Sequence, residues 1–573
     1  MDVLKPVYTE QNDCQDCYKC IRECRLKAIK VVNNSAQIMH ENCIFCGHCT
    51  QVCPVGAKKI RNDLNRVKSL LRRRNDVVVS LAPSFISEFP NLGNAQIVAA
   101  MKALGFSHVS ETALGAQEIS CRIPEMMDQM EEGIYISSAC PSVVELIRKY
   151  YPQYTNQVTP LLSPLLAHCK ILKQSYGEDT PVVFIGPCVA KKREADDFPE
   201  LLEASLTFED LKNWLKEKNI DPYMFPEREN EIFEPCKANK GVLYPIDGGM
   251  IAGVKANATT ADAVYMTFSG IQNIENVLKD LDRYKKGGRL FLELLACDGG
   301  CINGPGTVKE YSSAIKRFEV IQHAHEHEGE VHRFDNLSLV RDFNSISALK
   351  ENSYSESEIK EALTLVGKSS DKDEINCGGC GYNSCREFAV ALLEEKSEPN
   401  MCVSYMRKIA HDKSSALLQK IPSGVVIVNE DLKIIEANYN FARMLGEETM
   451  DLFETIPGLP DADLTKLVPF HKLFSSILRT GEENLERDVR CGNGLLHINL
   501  FTIQKKKMVG AILRDMSVPF IQREEVISRA REVNRRNLET VQKIAYLLGE
   551  NASETEDMLN SIVEFYNLPE GGQ

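Results

Sequence analysis

Residues 291–306 read FLELLACDGGCINGPG and join an apolar run to two cysteines, Cys297 and Cys301. The run from Phe291 to Leu295 predicts a β-strand, and the glycines after it predict a turn. In open α/β folds, ligands bind outside the carboxyl ends of the strands. The segment therefore predicts a thiolate-bearing loop at the edge of a sheet.

Two other segments repeat this arrangement upstream. Cys140 lies in SSACPSV and Cys188 lies in GPCVAKKREA, each after an apolar run. Similar runs alternate with helical segments over residues 70–350, a pattern that predicts an α/β domain. Four thiolates delivered by three loops could enclose one iron–sulfur cubane.

Eight further cysteines near the N-terminus form two runs with the spacing C-x2-C-x2-C-x3-C. In such pairs the fourth cysteine of each run ligates the other cluster. The first predicted 4Fe–4S cluster is bound by Cys14, Cys17, Cys20 and Cys53, and the second by Cys43, Cys46, Cys49 and Cys24. Zinc knuckles are the alternative, although zinc sites favour paired C-x2-C units. Two clusters in tandem would conduct electrons.

Residues 1–350 resemble the iron-only (FeFe) hydrogenase family, because the three strand–turn segments match its three signatures in order. The resemblance implies that four cysteines hold the 4Fe–4S part of an H-cluster, and that Cys301 bridges to a two-iron subcluster with CO, CN and dithiolate ligands. These four cysteines are Cys140, Cys188, Cys297 and Cys301. It also implies that Lys191 reaches a cyanide ligand and that Glu194 holds Lys191. The implied reaction interconverts H2 with protons and electrons.

Three positions depart from the pattern of highly active members of that family. Ala139 replaces a cysteine that relays protons, Gly186 replaces a methionine, and Asp298 replaces a proline. A methyl group cannot carry a proton, so Ala139 predicts slow turnover with the cofactor still bound. Such a site suits a sensor better than a metabolic enzyme.

The acidic pair expected for the usual proton path is also missing from GAQEISCRIPE, residues 115–125. Glu118, Cys121 or Cys169 could substitute for it. For Cys121, Cys169 and Cys236, a buried structural thiol is the plainer interpretation.

A third cysteine group begins in NCGGCGYNSC, and sixteen residues separate the end of that segment from its last member. The group comprises Cys377, Cys380, Cys385 and Cys402. It resembles a small helical 4Fe–4S domain in which glycines let the backbone approach the cluster. Zinc is again the alternative. We expect this third accessory cluster to lie between hydrogenase and sensor.

Residues 415–517 resemble a PAS domain in their order of strands and helices, and no residue there identifies a bound ligand. His497 and Cys491 are candidates, although a structural role explains both. Residues 520–565 predict an amphipathic helix with one stripe of small and apolar side chains. The stripe comprises Val526, Ala530, Val533, Asn537, Val541, Ile544 and Leu548. Such a stripe could pair with a second copy of the chain.

The predicted fold class is therefore multidomain, α/β and α+β. We predict a ferredoxin-like bis-cluster domain at 1–66, an H-cluster domain at 67–350, a partly helical linker at 351–373, a small helical 4Fe–4S domain at 374–410, a PAS domain at 411–518 and a C-terminal helical segment at 519–573.

Composition restricts the partners. The formal net charge of -14 over 573 residues disfavours nucleic acid, whose phosphates bind clustered cations. No apolar run is long enough to cross a bilayer and no secretory signal is visible, which predicts a cytoplasmic protein. In that reducing compartment, the 20 cysteines are better explained as metal ligands than as disulfides.

The leading hypothesis is a sensory hydrogenase of the PAS-containing, HydS-like (group C type) branch, acting on H2 and protons. We expect a homodimer that signals to a downstream kinase or phosphatase and receives its cofactor from hydrogenase maturation proteins. One alternative is a catalytic hydrogenase that exchanges electrons with ferredoxin. The other is a non-catalytic iron–sulfur electron-transfer protein.

Overall fold

The computed structural model describes residues 5–542 except for 130–131, 229–230, 259–262, 285–287, 326–331, 347–351, 492–493 and 517–526. The chain forms two compact units, Met1–Met406 and Arg407–Gln573. Within the described ranges, no helix has both the length and the apolar character needed to cross a membrane.

The N-terminal domain is built from two similar halves. Each half places a short helix after a left-handed residue, Tyr18 (φ 53°) or Gly47 (φ 74°). Each helix ends at the fourth cysteine of its run, Cys24 or Cys53. The elements are β1 (Val7–Thr9), α1 (Lys19–Glu23), β2 (Ile29–Val32), β3 (Ser35–Ile38), α2 (His48–Val52) and β4 (Lys58–Ile60). Strands β1 and β4 pair antiparallel, as do β2 and β3.

The second domain is an α/β structure with two parallel sheets. Its elements are α3 (Leu64–Arg73), β5 (Val78–Leu81), α4 (Phe85–Glu88), α5 (Asn94–Leu104), β6 (His108–Glu111), α6 (Ala113–Gln129), β7 (Gly133–Ile136), α7 (Pro141–Tyr150), α8 (Pro164–Tyr176), β8 (Val182–Gly186), α9 (Ala190–Asp197), β9 (Ala204–Thr207), α10 (Phe208–Glu217), α11 (Gly249–Asn257), β10 (Ala263–Ser269), α12 (Ile271–Lys279), β11 (Arg289–Leu295) and α13 (Ser313–His325). The strand orders are β6-β5-β8-β9 and β10-β11-β7.

The apolar runs of this domain form strands because helices cover both faces of the sheets. Strand β5 is buried along its whole length, as a parallel strand covered on both sides must be. Pro164 starts α8 after Ser163, whose hydroxyl accepts from the Leu166 N–H and caps the helix. Strands β7, β8 and β11 therefore end beside the three cysteine segments, and the predicted α/β fold is confirmed.

The third cysteine group lies in a small helical domain with α14 (Glu356–Leu365) and α15 (Cys385–Leu393). Helix α14 falls in the stretch predicted as a linker. Its Ala362 and Leu363 pack with Cys385 and Ala389 in one buried cluster. Residues 356–365 therefore contribute to the core of the small domain.

Helix α16 (Val403–Lys420) crosses the boundary between the two units. In the second unit, five antiparallel strands form a sheet of order β13-β12-β16-β15-β14. Its elements are β12 (Gly424–Asn429), β13 (Ile434–Ala437), α17 (Tyr439–Leu445), α18 (Glu447–Thr455), α19 (Leu464–Leu467), α20 (His471–Thr480), β14 (Asn484–Cys491), β15 (Gly494–Gln504) and β16 (Met508–Asp515). This is the PAS-type α+β arrangement that the sequence predicts.

Asn438 joins α16 to the PAS sheet. Its side-chain oxygen accepts from the Val425 N–H at 2.8 Å, and its amide donates to the carbonyls of Leu418 and Ser423, both at 2.9 Å. Because Leu418 belongs to α16, the end of that helix is bonded directly to the PAS-type domain.

Residues 527–542 form a helix with mostly exposed side chains, among them Val533 and Val541 at 57% and 61% exposure. Val526, Ile544 and Leu548 of the predicted stripe lie outside the described residues. His497, a candidate ligand from the sequence, pairs with Asp488 across β14 and β15, where Nδ1 lies 2.6 Å from Asp488 Oδ1.

Candidate cluster-binding and hydrogenase site

Three loops bring four cysteines to the carboxyl ends of parallel strands. Cys140 follows β7 and caps α7, Cys188 follows β8, and Cys297 follows β11. Cys301 begins a short turn after Gly299 and Gly300, whose φ values are 73° and 98°.

Gly300 is required for more than its backbone conformation. A Cβ atom at this position would lie 2.3 Å from the backbone oxygen of Pro245. Only glycine therefore allows the loop to approach that segment while it turns between Cys297 and Cys301.

The four thiols lie close enough for the charge of one to affect the pKa of another. Burial raises the pKa of Cys188 to about 11, and Cys140 raises it further while Lys191 lowers it. Burial also raises the pKa of Cys301, and the charges of Cys188 and Cys140 add to the effect. Burial raises the pKa of Cys297, again with contributions from the other three. Thiols in such surroundings become thiolates only when a cationic centre binds them.

Lys191 lies inside this site and forms a buried triad with Glu194 and Ser163. Its ammonium is 2.7 Å from Glu194 Oε2 and donates to Ser163 Oγ at 3.1 Å. Ser163 Oγ in turn donates to Glu194 Oε2 at 3.0 Å. Lys191 is 8% exposed and Glu194 4%, so both charges are held away from solvent.

The triad has hydrogen-bonding capacity left over, which tests whether an H-cluster fits. An ammonium carries three donors, and Lys191 uses two on Glu194 and Ser163 among the described residues. Oε1 of Glu194 is buried with no hydrogen-bond partner there. A spare buried donor beside four thiols fits an anionic ligand such as cyanide, so the residues fit the group that the resemblance implies.

The departures from the active pattern have structural counterparts. Ala139 is next to Cys140 and offers only a methyl group, and its N–H donates to Ser137 Oγ at 3.1 Å. At Gly186, a Cβ atom would lie 2.3 Å from the ring of Phe184. Phe184 therefore occupies the space that a side chain at 186 would need.

The possible substitutes for the proton path lie in different places. Glu118 is paired with Arg122 at 3.0 Å and with Arg333 at 3.3 Å, on the side of α6 where Cys121 also lies. Cys169 is fully buried on α8, and Glu194 and Lys191 contribute to the shift of its pKa. Cys169 is thus the candidate that the fold brings beside the triad.

Within each of the two N-terminal ligand groups that the spacing predicts, the other thiols contribute to the raised pKa of one buried member. Burial raises the pKa of Cys20 to about 11, with additions from Cys14, Cys17 and Cys53. Burial likewise raises the pKa of Cys49, with additions from Cys46, Cys43 and Cys24. Across the described residues, no three His, Cys, Asp or Glu side chains converge closely enough to bind a single metal ion.

The second of these groups borders the site of the four hydrogenase-type cysteines. Cys140 contributes to the raised pKa of Cys46, and Cys46 contributes to that of Cys297. One cavity of about 760 Å³ is lined by Cys24, Cys46 and Cys297 together. The two predicted cluster sites are therefore neighbours.

The third group surrounds a pocket of its own, which is lined by Cys377, Cys380, Cys385 and Cys402. Its domain packs on the N-terminal domain. Ile21 and Val31 of the N-terminal domain share a buried core with Tyr382, Phe388 and Met401 of the small domain.

Sequence reasoning missed two residues at these sites. Ser163 is recognisable as a helix cap from the Ser-Pro pair, but its contact with Lys191 depends on how α8 and α9 pack. Lys27 follows the first cysteine run and donates to the carbonyl of Gly381, at 2.8 Å. No local pattern identifies that contact, because the two residues are 354 positions apart.

The fold and the site together define an iron–sulfur protein with an α/β thiolate site, a bis-cluster domain and a PAS domain. Four family models match the same segments. They are a 4Fe-4S dicluster domain at 6–54, the C-terminal domain of the large chain of iron-only hydrogenases at 75–305, a putative Fe-S cluster at 373–404 and a PAS domain at 413–476. Residues 75–305 match the model of the C-terminal domain of the large subunit of iron-only hydrogenases, so the resemblance predicted from the sequence is confirmed for this domain.

Curated relatives include two hydrogenases. Iron hydrogenase 1 of Clostridium pasteurianum is 24% identical over 417 residues, covering 59% of this chain and 72% of the relative. The NADP-reducing hydrogenase subunit HndD of Solidesulfovibrio fructosivorans is 25% identical over 327 residues, which cover 46% of this chain and 55% of the relative.

Solved structures with partial similarity include an FeFe-hydrogenase studied for oxygen inactivation, at 18% identity and a TM-score of 0.37, covering 48% of this chain and 91% of the other. A HydA1 variant from Chlamydomonas reinhardtii is 20% identical with a TM-score of 0.36, and the match covers 48% of this chain and 91% of the other. The PAS domain of an HTR-like protein from Haloarcula marismortui is 19% identical with a TM-score of 0.15, and the match covers 20% of this chain and 99% of the other.

Proposed function

We propose that this chain is a sensory iron-only hydrogenase, which oxidises H2 and reduces protons slowly and passes the resulting signal through iron–sulfur clusters to its PAS domain. The observation that carries the proposal is the combination of an intact buried triad at Lys191 with a methyl group at Ala139. The first suits cofactor binding, and the second suits slow proton supply.

When bound, an H-cluster supplies the open iron site at which H2 and protons are interconverted. The chain's own residues bind and orient it. Cys140, Cys188, Cys297 and Cys301 would hold its four-iron part, and Cys301 would also bridge to the two-iron part. The spare donor of Lys191 would bond an anionic ligand, while Glu194 and Ser163 fix the position of its ammonium.

Proton supply is the step that we expect to be slow. Ala139 has no group that gains or loses a proton, and the acidic side chain of Glu118 is engaged by two arginines. General acid–base groups typically contribute 10²–10⁴-fold to a rate. Loss of such a group next to the reacting site therefore favours a sensor over a metabolic enzyme.

The route to the output follows α16. Its first residue, Val403, comes directly after Cys402, and its far end is bonded to the PAS domain through Asn438. A change at the small-domain cluster would therefore act on a helix that reaches the sensor domain.

We further propose a cytoplasmic homodimer that signals to a kinase or phosphatase and receives its two-iron subcluster from hydrogenase maturation proteins. Exposed apolar side chains on the helix at 527–542 support self-association, although the full stripe extends beyond the described residues. Three accessory 4Fe–4S clusters complete the proposed cofactor set.

An infrared spectrum of the protein after maturation, recorded with and without H2, tests the proposal. Carbonyl and cyanide bands that shift under H2, together with turnover well below that of metabolic enzymes, are the expected result. Absence of the bands after maturation would favour a non-catalytic iron–sulfur protein. Bands with fast, ferredoxin-dependent turnover would favour the catalytic alternative, which the neighbouring bis-cluster domain also suits.

A further inference from the structure

Lys27 lies at the junction between the N-terminal domain and the small domain. Its ammonium donates to the carbonyls of Ile21 and Arg22, at 3.1 and 3.3 Å, near the end of α1. It also donates to the carbonyl of Gly381 in the small domain, at 2.8 Å. One lysine thus joins the helix that ends at Cys24 to the loop that follows Cys380.

The backbone at Lys27 supports a specific role for this side chain. Its φ of 47° lies in the left-handed region of backbone conformation, which residues other than glycine and asparagine rarely adopt. Such a conformation costs about 1 kcal/mol or more and persists when surrounding contacts fix it. Here three carbonyls and the ring of Tyr382, whose centroid is 5.6 Å from the ammonium, surround the side chain.

The junction is a built interface and not a loose contact. The Val31 N–H donates to the Lys396 carbonyl at 2.9 Å, and the Asn33 N–H donates to Glu398 at 2.8 Å. Ile21 and Met401 are fully buried in the shared core. The distance between the two cysteine groups is therefore fixed by the fold.

We propose that Lys27 couples the cluster bound through Cys24 to the cluster of the small domain, so that electrons reach the small domain from the N-terminal domain. The inference deepens the proposed function, because it states where the signal enters the path to α16. The Cys24 group also borders the hydrogenase-type site, through Cys46. That group would be the branch point of the electron path.

The step is a one-electron transfer from the N-terminal cluster to the small-domain cluster. The cluster that gives the electron is oxidised by one unit, the cluster that accepts it is reduced by one unit, and no proton is exchanged. A cation between two anionic clusters stabilises the reduced form of each, because reduction adds negative charge. Both Cys24 and Cys380 act electrostatically on Lys27, as expected of a shared neighbour.

The test is potentiometric electron paramagnetic resonance on the full chain with reconstituted 4Fe–4S clusters. Lys27→Met should lower the midpoint potentials of the small-domain cluster and of one N-terminal cluster, whereas Lys27→Arg should change them less. Lys58→Met is the matched control. Lys58 is a buried lysine of the same domain that donates to Thr9 Oγ1 at 2.6 Å and also bonds the Ala36 carbonyl. The Lys58→Met variant should leave the midpoint potential of the small-domain cluster unchanged.

An unchanged small-domain potential in Lys27→Met, with iron content intact, would overturn the proposal. If Lys27→Met loses iron, the unmodified chain still decides the question. Its fully reduced form should show magnetic coupling between the small-domain cluster and an N-terminal cluster, which disappears in Cys380→Ser, and absence of coupling would overturn the proposal. Neither measurement needs the two-iron subcluster, so the infrared test of the proposed function can fail independently.

Discussion

Lys191 and Lys27 each place an ammonium beside predicted cluster ligands, but the groups that receive their hydrogen bonds differ. Lys191 is bonded to the carboxylate of Glu194, at 2.7 Å, and to a serine hydroxyl. Lys27 is bonded to three backbone carbonyls. A carboxylate neutralises the lysine and fixes its position, whereas carbonyl dipoles fix the position and leave the net charge in place. The first environment suits binding of a ligand, and the second suits an electrostatic influence on its neighbours.

Substitution of Lys191 is expected to have the largest effect on stability and cofactor binding. Lys191→Met leaves Glu194 buried without its cation, which costs about 3–5 kcal/mol, and removes the donor for an anionic ligand. We expect the infrared bands of the two-iron subcluster to be lost after maturation.

Lys170→Met is the matched control for that variant. This lysine of α8 donates to the Ser338 carbonyl at 2.6 Å at an exposed position. It should retain the bands. If Lys191→Met took up the cofactor as well as the unmodified chain, the role assigned to Lys191 would be wrong.

His168 is a buried base whose two ring nitrogens each lie beside a serine hydroxyl. Ser80 Oγ is 2.8 Å from its Nδ1 and Ser110 Oγ is 2.9 Å from its Nε2, and burial lowers the pKa of His168 from 6.5 to about 3. Because burial depresses the folded-state pKa, the unfolded chain protonates His168 more readily than the folded chain does. The folded state therefore keeps its full stability above pH 6.5 and loses part of it as pH falls toward 3. The full loss corresponds to roughly 3–5 kcal/mol.

Thermal unfolding of the chain at several pH values between 4 and 7 checks this prediction. His168→Gln should show a weaker dependence on pH across that range, because glutamine does not titrate. An equally steep dependence in the variant would assign the acid sensitivity to other groups.

Ala139→Cys tests whether the intact Lys191 site lacks only a proton relay. A thiol beside Cys140 should raise H2 turnover at least tenfold, which is about 1.4 kcal/mol. The infrared bands should be retained. Ala139→Ser is the size-matched control and should give a smaller gain, since a hydroxyl is a poorer acid. No gain in the cysteine variant would contradict our account of slow turnover.

The smallest effect on stability is expected at Gly381, whose carbonyl accepts from Lys27. Gly381 has φ 94°, and a Cβ atom there would lie 3.1 Å from Ile21 Cβ and 3.3 Å from the Arg22 nitrogen. Gly381→Ala should weaken docking of the small domain by about 1–2 kcal/mol. Hydrogen exchange at the Val31 N–H, which bonds Lys396 across the junction, should become faster.

Gly56→Ala separates backbone strain from the contact. Gly56 also has a left-handed φ, 67°, but nothing lies within 4 Å of its Cβ position. This variant should leave exchange at Val31 unchanged. Equal acceleration in both variants would show that strain in the domain, and not the junction, controls exchange there.

Much of the site could be predicted because thiolate ligands leave a local signal. The spacing of Cys14 to Cys53 is short enough for the chain itself to bring the ligands together, and the strand–turn pattern placed Cys140, Cys188 and Cys297 at sheet edges. Ser163 could not be assigned in this way, since its contact with Lys191 depends on the packing of α8 against α9. The sequence of α14 predicts a linker because its short apolar stripe is completed only by packing against α15.

The sequence by itself determined the number of cysteine groups, the α/β and PAS-type elements, and the residue beside Cys140, because each depends on residue type and spacing within a few turns of chain. Only the tertiary structure decided that Ser163 accepts from the ammonium of Lys191, and that Lys27 reaches Gly381. These contacts join segments far apart in sequence, where burial and the matching of donors to acceptors, and not local pattern, select the partners.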